Sequence, residues 1–313
     1  MISEKSWYGN ILLTITAVIW GLAFIAQSAS MKYVGPFTFQ CCRTFLGMLA
    51  LAPVLAVRLR GAAKRKHGTG RGGKDPLITK QMIRAGVLCG LAFTSACILQ
   101  QFAMKTTDAG KAAFITALYL VILPVLGIVV GRKVSVKIWF CILLCLVGIW
   151  FLSISGATGI GTGDLLLLAC AFLFAVQMML VDHFVQQVDG VWISFVQLAT
   201  STILMFLPMV IIERPSWEMI AGAKYSILYA GVLSCGIAYT LQILGQKYTS
   251  PVTAGLIMST ESIFALIGGI LILHQIPTMR ELAGCALVFA AVILSQADLG
   301  RKKRRKEQET EGA

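Results

Sequence analysis

Hydrophobic residues along the chain are gathered into ten long apolar runs, separated by short polar or glycine-containing stretches. A helix of roughly 20 residues crosses the hydrocarbon core of a bilayer, and most of the runs approach that length. Lipid offers backbone groups no hydrogen bonds, and the runs lack period-two alternation, so we expect helices rather than strands. The predicted spans are residues 9–29, 37–57, 83–103, 110–130, 138–155, 163–181, 190–211, 225–245, 252–273 and 279–297. The pattern therefore predicts an all-α integral membrane protein with ten transmembrane helices.

The third and eighth predicted spans belong to a weak internal repeat, with eight identical positions in 25. Residues 86–110 read GVLCGLAFTSACILQQFAMKTTDAG and residues 231–255 read GVLSCGIAYTLQILGQKYTSPVTAG, which align without a gap. Each copy lies in a half of five predicted spans, and an odd number of spans makes the second half enter the bilayer from the opposite side. Inverted repeats of this kind are typical of secondary transporters, whose substrate site lies between the halves near the midplane.

The repeat also predicts the domain organisation. We expect a first five-helix repeat over residues 1–155, which includes a basic loop at 58–80, and a second over residues 163–297. Residues 298–313 form a basic tail. The ten spans use most of the chain, so no soluble catalytic domain is expected.

Composition and charge agree with a membrane protein. Charged residues make up 13% of the chain, against about 25% in soluble domains. The formal net charge is +13, and most of the 27 lysines and arginines fall on one side if the predicted spans alternate. The positive-inside rule then predicts both termini in the cytoplasm and a place in the cell membrane. We expect the basic loop and tail to contact anionic lipid headgroups, and we expect no nucleic-acid partner.

Metal-binding residue types are not clustered in the sequence. All nine cysteines fall within predicted spans, where a free cysteine behaves as a small hydrophobic residue. The three histidines, His67, His183 and His274, are scattered and have no ligand spacing. We therefore expect neither a metal nor another cofactor.

Several stretches of the chain resemble one known family. They are Ile19-Trp20-Gly21, Pro36 followed by Arg43, TTDAGKAAFITALYLVILPVLGIVVGRK from Thr106, TSPVTAGLIMSTESIFALIGGILIL from Thr249, and ELAGCALVFAAVIL from Glu281. Together, in this order, they resemble the EamA-type family of the drug/metabolite transporter superfamily. The resemblance implies ten helices, cytoplasmic termini and the carriage of small metabolites, often amino acids or related compounds and frequently outward.

The chain departs from the family pattern at three places. The ninth helix of the family often contains Glu-Pro, and here it contains Glu261-Ser262. The fourth and ninth helices of the family often end in Gly-Glu, where this chain has Gly131-Arg132 and Leu273-His274. A role of those terminal glutamates therefore does not carry over to this chain.

Glu261 is the strongest candidate for chemistry. It lies about nine residues into the ninth predicted span, or about 14 Å deep at 1.5 Å per residue, close to the midplane. A charged side chain at that depth costs roughly 2.5–3.5 kcal/mol on insertion scales, so an intramembrane carboxyl indicates a function. A group that takes up and releases a proton would suit proton coupling; the alternative is a protonated acid that bonds to a neighbouring helix. The aligned residue in the first half is Thr116.

Arg43 lies near the outer end of the second predicted span and has two readings. Its long stem allows the charge to snorkel to the membrane interface. The other reading is that it binds a substrate carboxylate or phosphate through paired hydrogen bonds.

Further polar and aromatic residues are expected at mid-depth. We predict a mixed aromatic and amide pocket formed by Trp20, Tyr119, Gln177, Tyr239 and Gln242. Such a pocket suits organic cations or amino acids, because aromatic rings attract cations. The alternative for each residue taken singly is a polar contact that joins two helices.

Small residues and prolines mark positions of helix packing. The pairs Gly86/Gly90 and Gly127/Gly131 have the GxxxG spacing that favours close helix contacts in lipid. Pro124 removes a helical hydrogen bond in the middle of the fourth predicted span. The resulting kink either opens a cavity or is purely structural.

Two functional classes remain. A secondary carrier for a small polar metabolite would work by alternating access, as a monomer or a homodimer. A membrane enzyme acting on lipid or prenyl substrates would need clustered acidic, histidine or cysteine groups at a membrane edge. The spans contain no such cluster, so we expect a transporter rather than an enzyme.

Overall fold

The described part of the chain is helical and contains no strand. A computed structural model describes residues 2–68, 79–107, 109–153, 161–273 and 278–311. The helices of the first half are α1 (Ile2–Ser30), α2 (Pro36–Gly68), α3 (Lys80–Ala103), α4 (Ala109–Thr116), α5 (Tyr119–Val129) and α6 (Val136–Ser153).

The second half begins at α7 and includes two π-helical segments. Its helices are α7 (Thr162–Phe184), α8 (Gly190–Pro208), α9 (Trp217–Gly222), α10 (Lys224–Leu228), α11 (Tyr239–Gln246), α12 (Pro251–Met258), α13 (Glu261–Leu273) and α14 (Met279–Glu311). The π segments are Met209–Glu213, which extends α8, and Tyr229–Ala238, which joins α10 to α11. π geometry inside a span is uncommon and often marks a functional site.

Seven stretches of helix are long and apolar enough to cross a membrane. They are Ser6–Ser30, Pro36–Arg60, Lys80–Ala103, Ala112–Val129, Thr162–Phe184, Gly190–Glu213 and Lys224–Gln246. Shorter apolar helices cover Val136–Phe151 and Pro251–Ile267. The prediction of an all-helical, multi-span membrane protein is confirmed for the described residues. The count of ten spans and the inverted arrangement stay predictions.

The outward faces of these helices are strongly apolar. Large hydrophobic side chains such as Ile203, Phe206 and Leu207 on α8 are more than half exposed. Water would oppose such a surface, whereas lipid tails accommodate it. The polar side chains of the spans are instead buried between helices, among them Gln40, Gln177 and Gln197.

The fourth and ninth predicted spans are both interrupted. The first breaks between Thr116 and Tyr119, and the second breaks between Met258 and Glu261. At the second break the hydroxyls of Ser259 and Thr260 donate to carbonyls three residues earlier, at 2.6 and 2.7 Å. Such side-chain bonds compete with the helix and bend it.

Pro124 is not the site of the interruption in the fourth span. Helix α5 runs through Pro124 and ends at Val129. The break lies upstream, where Leu118 donates its backbone N–H to the carbonyl of Ile115 at 3.1 Å, in a tightened turn. The interruption of this span therefore lies upstream of the proline, between Thr116 and Tyr119.

One of the two GxxxG pairs makes a close helix contact. A Cβ atom at Gly90 would lie 2.7 Å from Cβ of Thr200 and 3.0 Å from the carbonyl of Gln197, so α3 meets α8 at backbone distance. Gly127 has only one distant neighbour, and Gly131 has a φ of +81° in the turn after α5. The packing prediction is therefore confirmed for the first pair and wrong for the second.

Helices α2 and α8 are joined by polar contacts at both ends. The Glu213 carboxylate accepts hydrogen bonds from the N–H groups of Phe37 and Thr38 at 3.0 and 2.7 Å, and from the Thr38 hydroxyl at 2.6 Å. It thus caps the N-terminus of α2, where backbone N–H groups have no helical partner. At the other end, Arg58 of α2 forms an ion pair with Asp189, the N-cap residue of α8.

Candidate functional site

A cavity lies between the helices and is lined by residues from both halves of the chain. Its empty space is about 560 Å³, including the part that is continuous with the exterior. That volume is an upper bound on the space open to a ligand, so only a small molecule would fit. Its walls are formed by Trp20, Ala23, Phe24, Gln27, Arg43, Gln100, Thr116, Tyr119, Phe174, Gln177, Met178, Ser234, Tyr239, Gln242, Met258 and Glu261.

All seven candidates from the sequence lie on this cavity. They are Trp20, Arg43, Tyr119, Gln177, Tyr239, Gln242 and Glu261. The structure thus brings together residues from α1, α2, α5, α7, α11 and α13. Whether they bind substrate stays a prediction.

An aromatic cluster forms one wall. The rings of Trp20 and Tyr239 have centroids 4.6 Å apart with an interplanar angle of 55°. Phe93 meets Tyr239 edge-on, also at 4.6 Å. The Tyr239 hydroxyl lies 3.8 Å from Sγ of Cys97, and the indole nitrogen of Trp20 has no hydrogen-bond partner in the described part of the chain.

A chain of glutamine side chains forms a second wall and links α7, α8 and α11. Gln177 donates to Gln197 at 3.0 Å and accepts from Gln242 at 3.4 Å. Gln242 also donates to Gln246 at 3.2 Å, and Gln246 donates to the Met178 carbonyl at the same distance. A role in the pocket and a role in joining helices are therefore compatible for Gln177 and Gln242, because both residues line the cavity and also bond to neighbouring helices.

Arg43 is fully enclosed. Its side chain is 2% exposed, and Nε donates to Oε1 of Gln40 at 2.8 Å. Gln40 in turn donates to the Ser201 hydroxyl at 3.0 Å, and the guanidinium carbon lies 5.2 Å from the centroid of the Phe39 ring. Because the charge points inward, the snorkelling interpretation is wrong.

Glu261 begins α13, directly after the break in the ninth predicted span. Its side chain is 8% exposed and lines the cavity, and no described residue forms an ion pair with it. Gly21 of α1 packs against this point. A Cβ atom there would lie 2.6 Å from the Glu261 carbonyl oxygen and 2.7 Å from Cβ of Phe264. Glycine thus permits the close approach of α1 to α13 that places Trp20 beside the cavity.

Several cavity residues were not selected from the sequence. Gln100 donates to the Thr116 hydroxyl at 3.4 Å across α3 and α4, and Ser234 lies on the π segment. Thr116 could have been found, because it aligns with Glu261 in the repeat. Ser234 carried no such signal, since a serine inside a span commonly bonds to its own helix.

The terminal position of the fourth helix has a partner of its own. Arg132, which stands where the family often has glutamate, forms an ion pair with Asp182 of α7 at 2.5 Å. The corresponding position in the ninth helix, His274, lies outside the described residues. The charge at this helix end is thus reversed relative to the family pattern and is neutralised within the chain.

Metal binding has no ligand set in the described chain. No group of three histidine, cysteine, aspartate or glutamate side chains there is arranged to hold a metal ion. All nine cysteines are free thiols, and seven of them are buried.

The multi-span helical fold and the cavity between its helices are those expected of a membrane transporter, and comparisons with known proteins agree. Residues 7–154 and 161–296 match the EamA-like transporter family. The chain therefore belongs to this family, which is part of the drug/metabolite transporter superfamily.

Two relatives are described as transporters of uncharacterised function. One from Archaeoglobus fulgidus is 26% identical over 93% of this chain and 86% of its own length. The other, YoaV from Bacillus subtilis, is 20% identical over 94% of this chain and 99% of its own length. A crystal structure described only as that of a protein matches with a TM-score of 0.74 and 17% identity, over 94% of this chain and 98% of that one. That likeness establishes the fold alone.

Proposed function

We propose that this protein is a secondary transporter that moves a small polar metabolite, an amino acid or related compound, outward across the cell membrane by alternating access. The observation that carries the proposal is the cavity between the helices, because residues from both halves of the chain line it, including Arg43 and Glu261. A membrane enzyme is the alternative, and no observation favours it, since the relatives are named as transporters.

The contacts of two aligned glycines support an inverted repeat. Gly86 of α3 abuts Val196 of α8, whereas its counterpart Gly231 abuts Leu46 of α2. The third span of one half thus packs on the second span of the other half in both cases. Exchange of partners between halves is the expected result of a pseudo-two-fold axis. Each half also has one interrupted span, with breaks at 117–118 and 259–260 that lie three residues out of register in the repeat, and discontinuous helices of this kind often form transporter sites.

The proposed orientation places both termini in the cytoplasm. Arg58, Arg132 and Lys247 then lie on the inner side, as the positive-inside rule requires. The predicted lipid contacts involve the basic loop at 58–80, of which residues 69–78 lie outside the described chain, and the basic tail. A homodimer remains an alternative to a monomer.

Glu261 is proposed as the coupling group. Its carboxyl is buried at the cavity and forms no ion pair with a described residue, so a proton or a bound cation would relieve the cost of burying its charge. Glu261 would bind a proton when the cavity is open to one side of the membrane and release that proton when the cavity is open to the other side. Substrate movement would then depend on the proton gradient.

Flux measurements in proteoliposomes test this function. Vesicles containing the purified protein are loaded with amino acids and related metabolites, and the exchange of radiolabelled substrate is followed with and without a pH gradient. We expect saturable flux that a gradient stimulates, and we expect Glu261→Gln to retain exchange but lose the stimulation. Glu218→Gln, an identical change at an exposed residue, should behave as wild type. Unaltered gradient dependence in Glu261→Gln would remove this residue from the mechanism.

A further inference from the structure

The guanidinium group of Arg43 is a positive charge in the cavity wall without a negative partner among the described residues. Nε is bonded to Gln40, and Nη2 has no hydrogen-bond partner there. The ion pairs of the described chain instead use Arg58 and Arg132, whose side chains are 45% and 46% exposed. A buried charge is unfavourable unless it is paired and hydrogen-bonded. An anion brought by a ligand would complete this site.

The unpaired donor atoms of the cavity residues indicate which kind of ligand group they can bind. Nη2 of Arg43 and Nε1 of Trp20 both lack partners in the described chain, and both groups can only donate. The unpaired oxygens of Gln27 and Gln242 are less decisive, because rotation of an amide exchanges its oxygen and nitrogen. The two unambiguous groups therefore require acceptor atoms from the ligand.

The charge balance of the cavity restricts the anion further. Among the described residues that line it, Arg43 supplies the positive charge and Glu261 supplies the acid. A phosphate ester carries close to two negative charges at neutral pH and would exceed the single guanidinium. A carboxylate carries one charge, and its planar oxygens match the N–H fork of arginine.

We propose that the substrate is a small monocarboxylate and that Arg43 binds its carboxylate group. The proposal rests on the transport function proposed above and adds the chemical group that is recognised. The rest of the substrate would contact the aromatic wall formed by Trp20 and Tyr239.

Gln40 and Ser201 act as positioning residues for Arg43. The Ser201 hydroxyl accepts from Gln40, and Gln40 accepts from Nε, so one edge of the guanidinium is occupied by the protein. Nη2 is left unpaired at the cavity. A fixed donor loses little conformational freedom when the ligand binds, which favours affinity.

Thermal unfolding of the purified full-length protein in detergent tests the proposal. The probes are the twenty amino acids, pyruvate and lactate, and each compound that stabilises the protein is compared with its carboxamide and, for amino acids, its decarboxylated amine. We expect stabilisation by monocarboxylates, weaker effects of aspartate and glutamate, and none by the amides or amines. Ligand binding to the folded state raises the unfolding temperature, so a dissociation constant follows from the dose dependence.

Substitutions of Arg43 then locate the effect. Arg43→Gln should raise the dissociation constant of a stabilising carboxylate by about 10- to 100-fold, the usual effect of losing charge-assisted hydrogen bonds. Arg43→Lys keeps the positive charge and should lose less affinity for the carboxylate than Arg43→Gln does. Arg58→Gln, the same change at an exposed ion pair outside the cavity, should bind as wild type. If Arg43→Gln does not fold, the proposal is tested by the dissociation constant of Arg43→Lys and by the binding of the amide analogues to the wild-type protein.

Three results would overturn the proposal. They are the absence of stabilisation by any carboxylate, equal stabilisation by an amide analogue, and a wild-type dissociation constant in Arg43→Gln. The proposed transport function fails separately. Carboxylate binding without flux in proteoliposomes would refute transport and leave the binding site, whereas flux of an amine that does not depend on Arg43 would refute the binding site and leave transport.

Discussion

The contact between α1 and α13 predicts a strong effect of the smallest substitution, Gly21→Ala. The added methyl group would lie 2.6 Å from the Glu261 carbonyl oxygen and 2.8 Å from the Ala265 backbone nitrogen. Favourable carbon contacts begin at about 3.5 Å, so the helices would have to separate by about 1 Å. Backbone atoms of a packed helix cannot rotate away as a side chain can. Overpacking of this kind costs about 1–3 kcal/mol of the free energy of unfolding.

The assay is unfolding of the purified protein in detergent, combined with flux in proteoliposomes. We expect Gly21→Ala to lower the free energy of unfolding by that amount and to reduce flux, because Trp20 and Glu261 move apart across the cavity. Gly127→Ala is the matched control, since the nearest described atom to its added methyl group, Cβ of Arg132, lies 3.9 Å away. Wild-type stability and flux in Gly21→Ala would refute the inferred close contact.

Two further predictions concern polar contacts between helices. Glu213→Gln removes the charge that caps α2 and should lower the free energy of unfolding by about 1 kcal/mol in the same detergent assay. Glu218→Gln, at an exposed residue, should have no effect. Equal stability of the two variants would contradict the capping role. Gln177→Leu leaves partners on Gln197 and Gln242 unsatisfied and should cost about 1–3 kcal/mol, together with a raised KM in the flux assay. An unchanged KM would assign the glutamine chain to helix packing alone.

The length of the apolar runs predicted the class of fold, because any helix that spans a bilayer needs about 20 apolar residues. It did not predict the interruptions at 117–118 and 259–260, since a break of two residues leaves the mean hydropathy of a span unchanged. Polar and aromatic residues within the spans predicted seven members of the cavity wall, because burying a polar side chain in lipid is unfavourable without a partner or a function. The two readings of Arg43 could be separated only by its tertiary contacts with Gln40 and Ser201.

The cap that Glu213 provides to α2 has a consequence for biosynthesis. The acceptor is 175 residues downstream of Thr38, so the second span is made long before its cap exists. The first N–H groups of α2 must donate to water or to other acceptors until Glu213 arrives with α8. The first half made alone would therefore carry an incomplete helix end, and co-expression of the two halves should recover more folded protein than expression of either half. In this respect the duplicated chain matures as one unit, completed only when its second half has been translated.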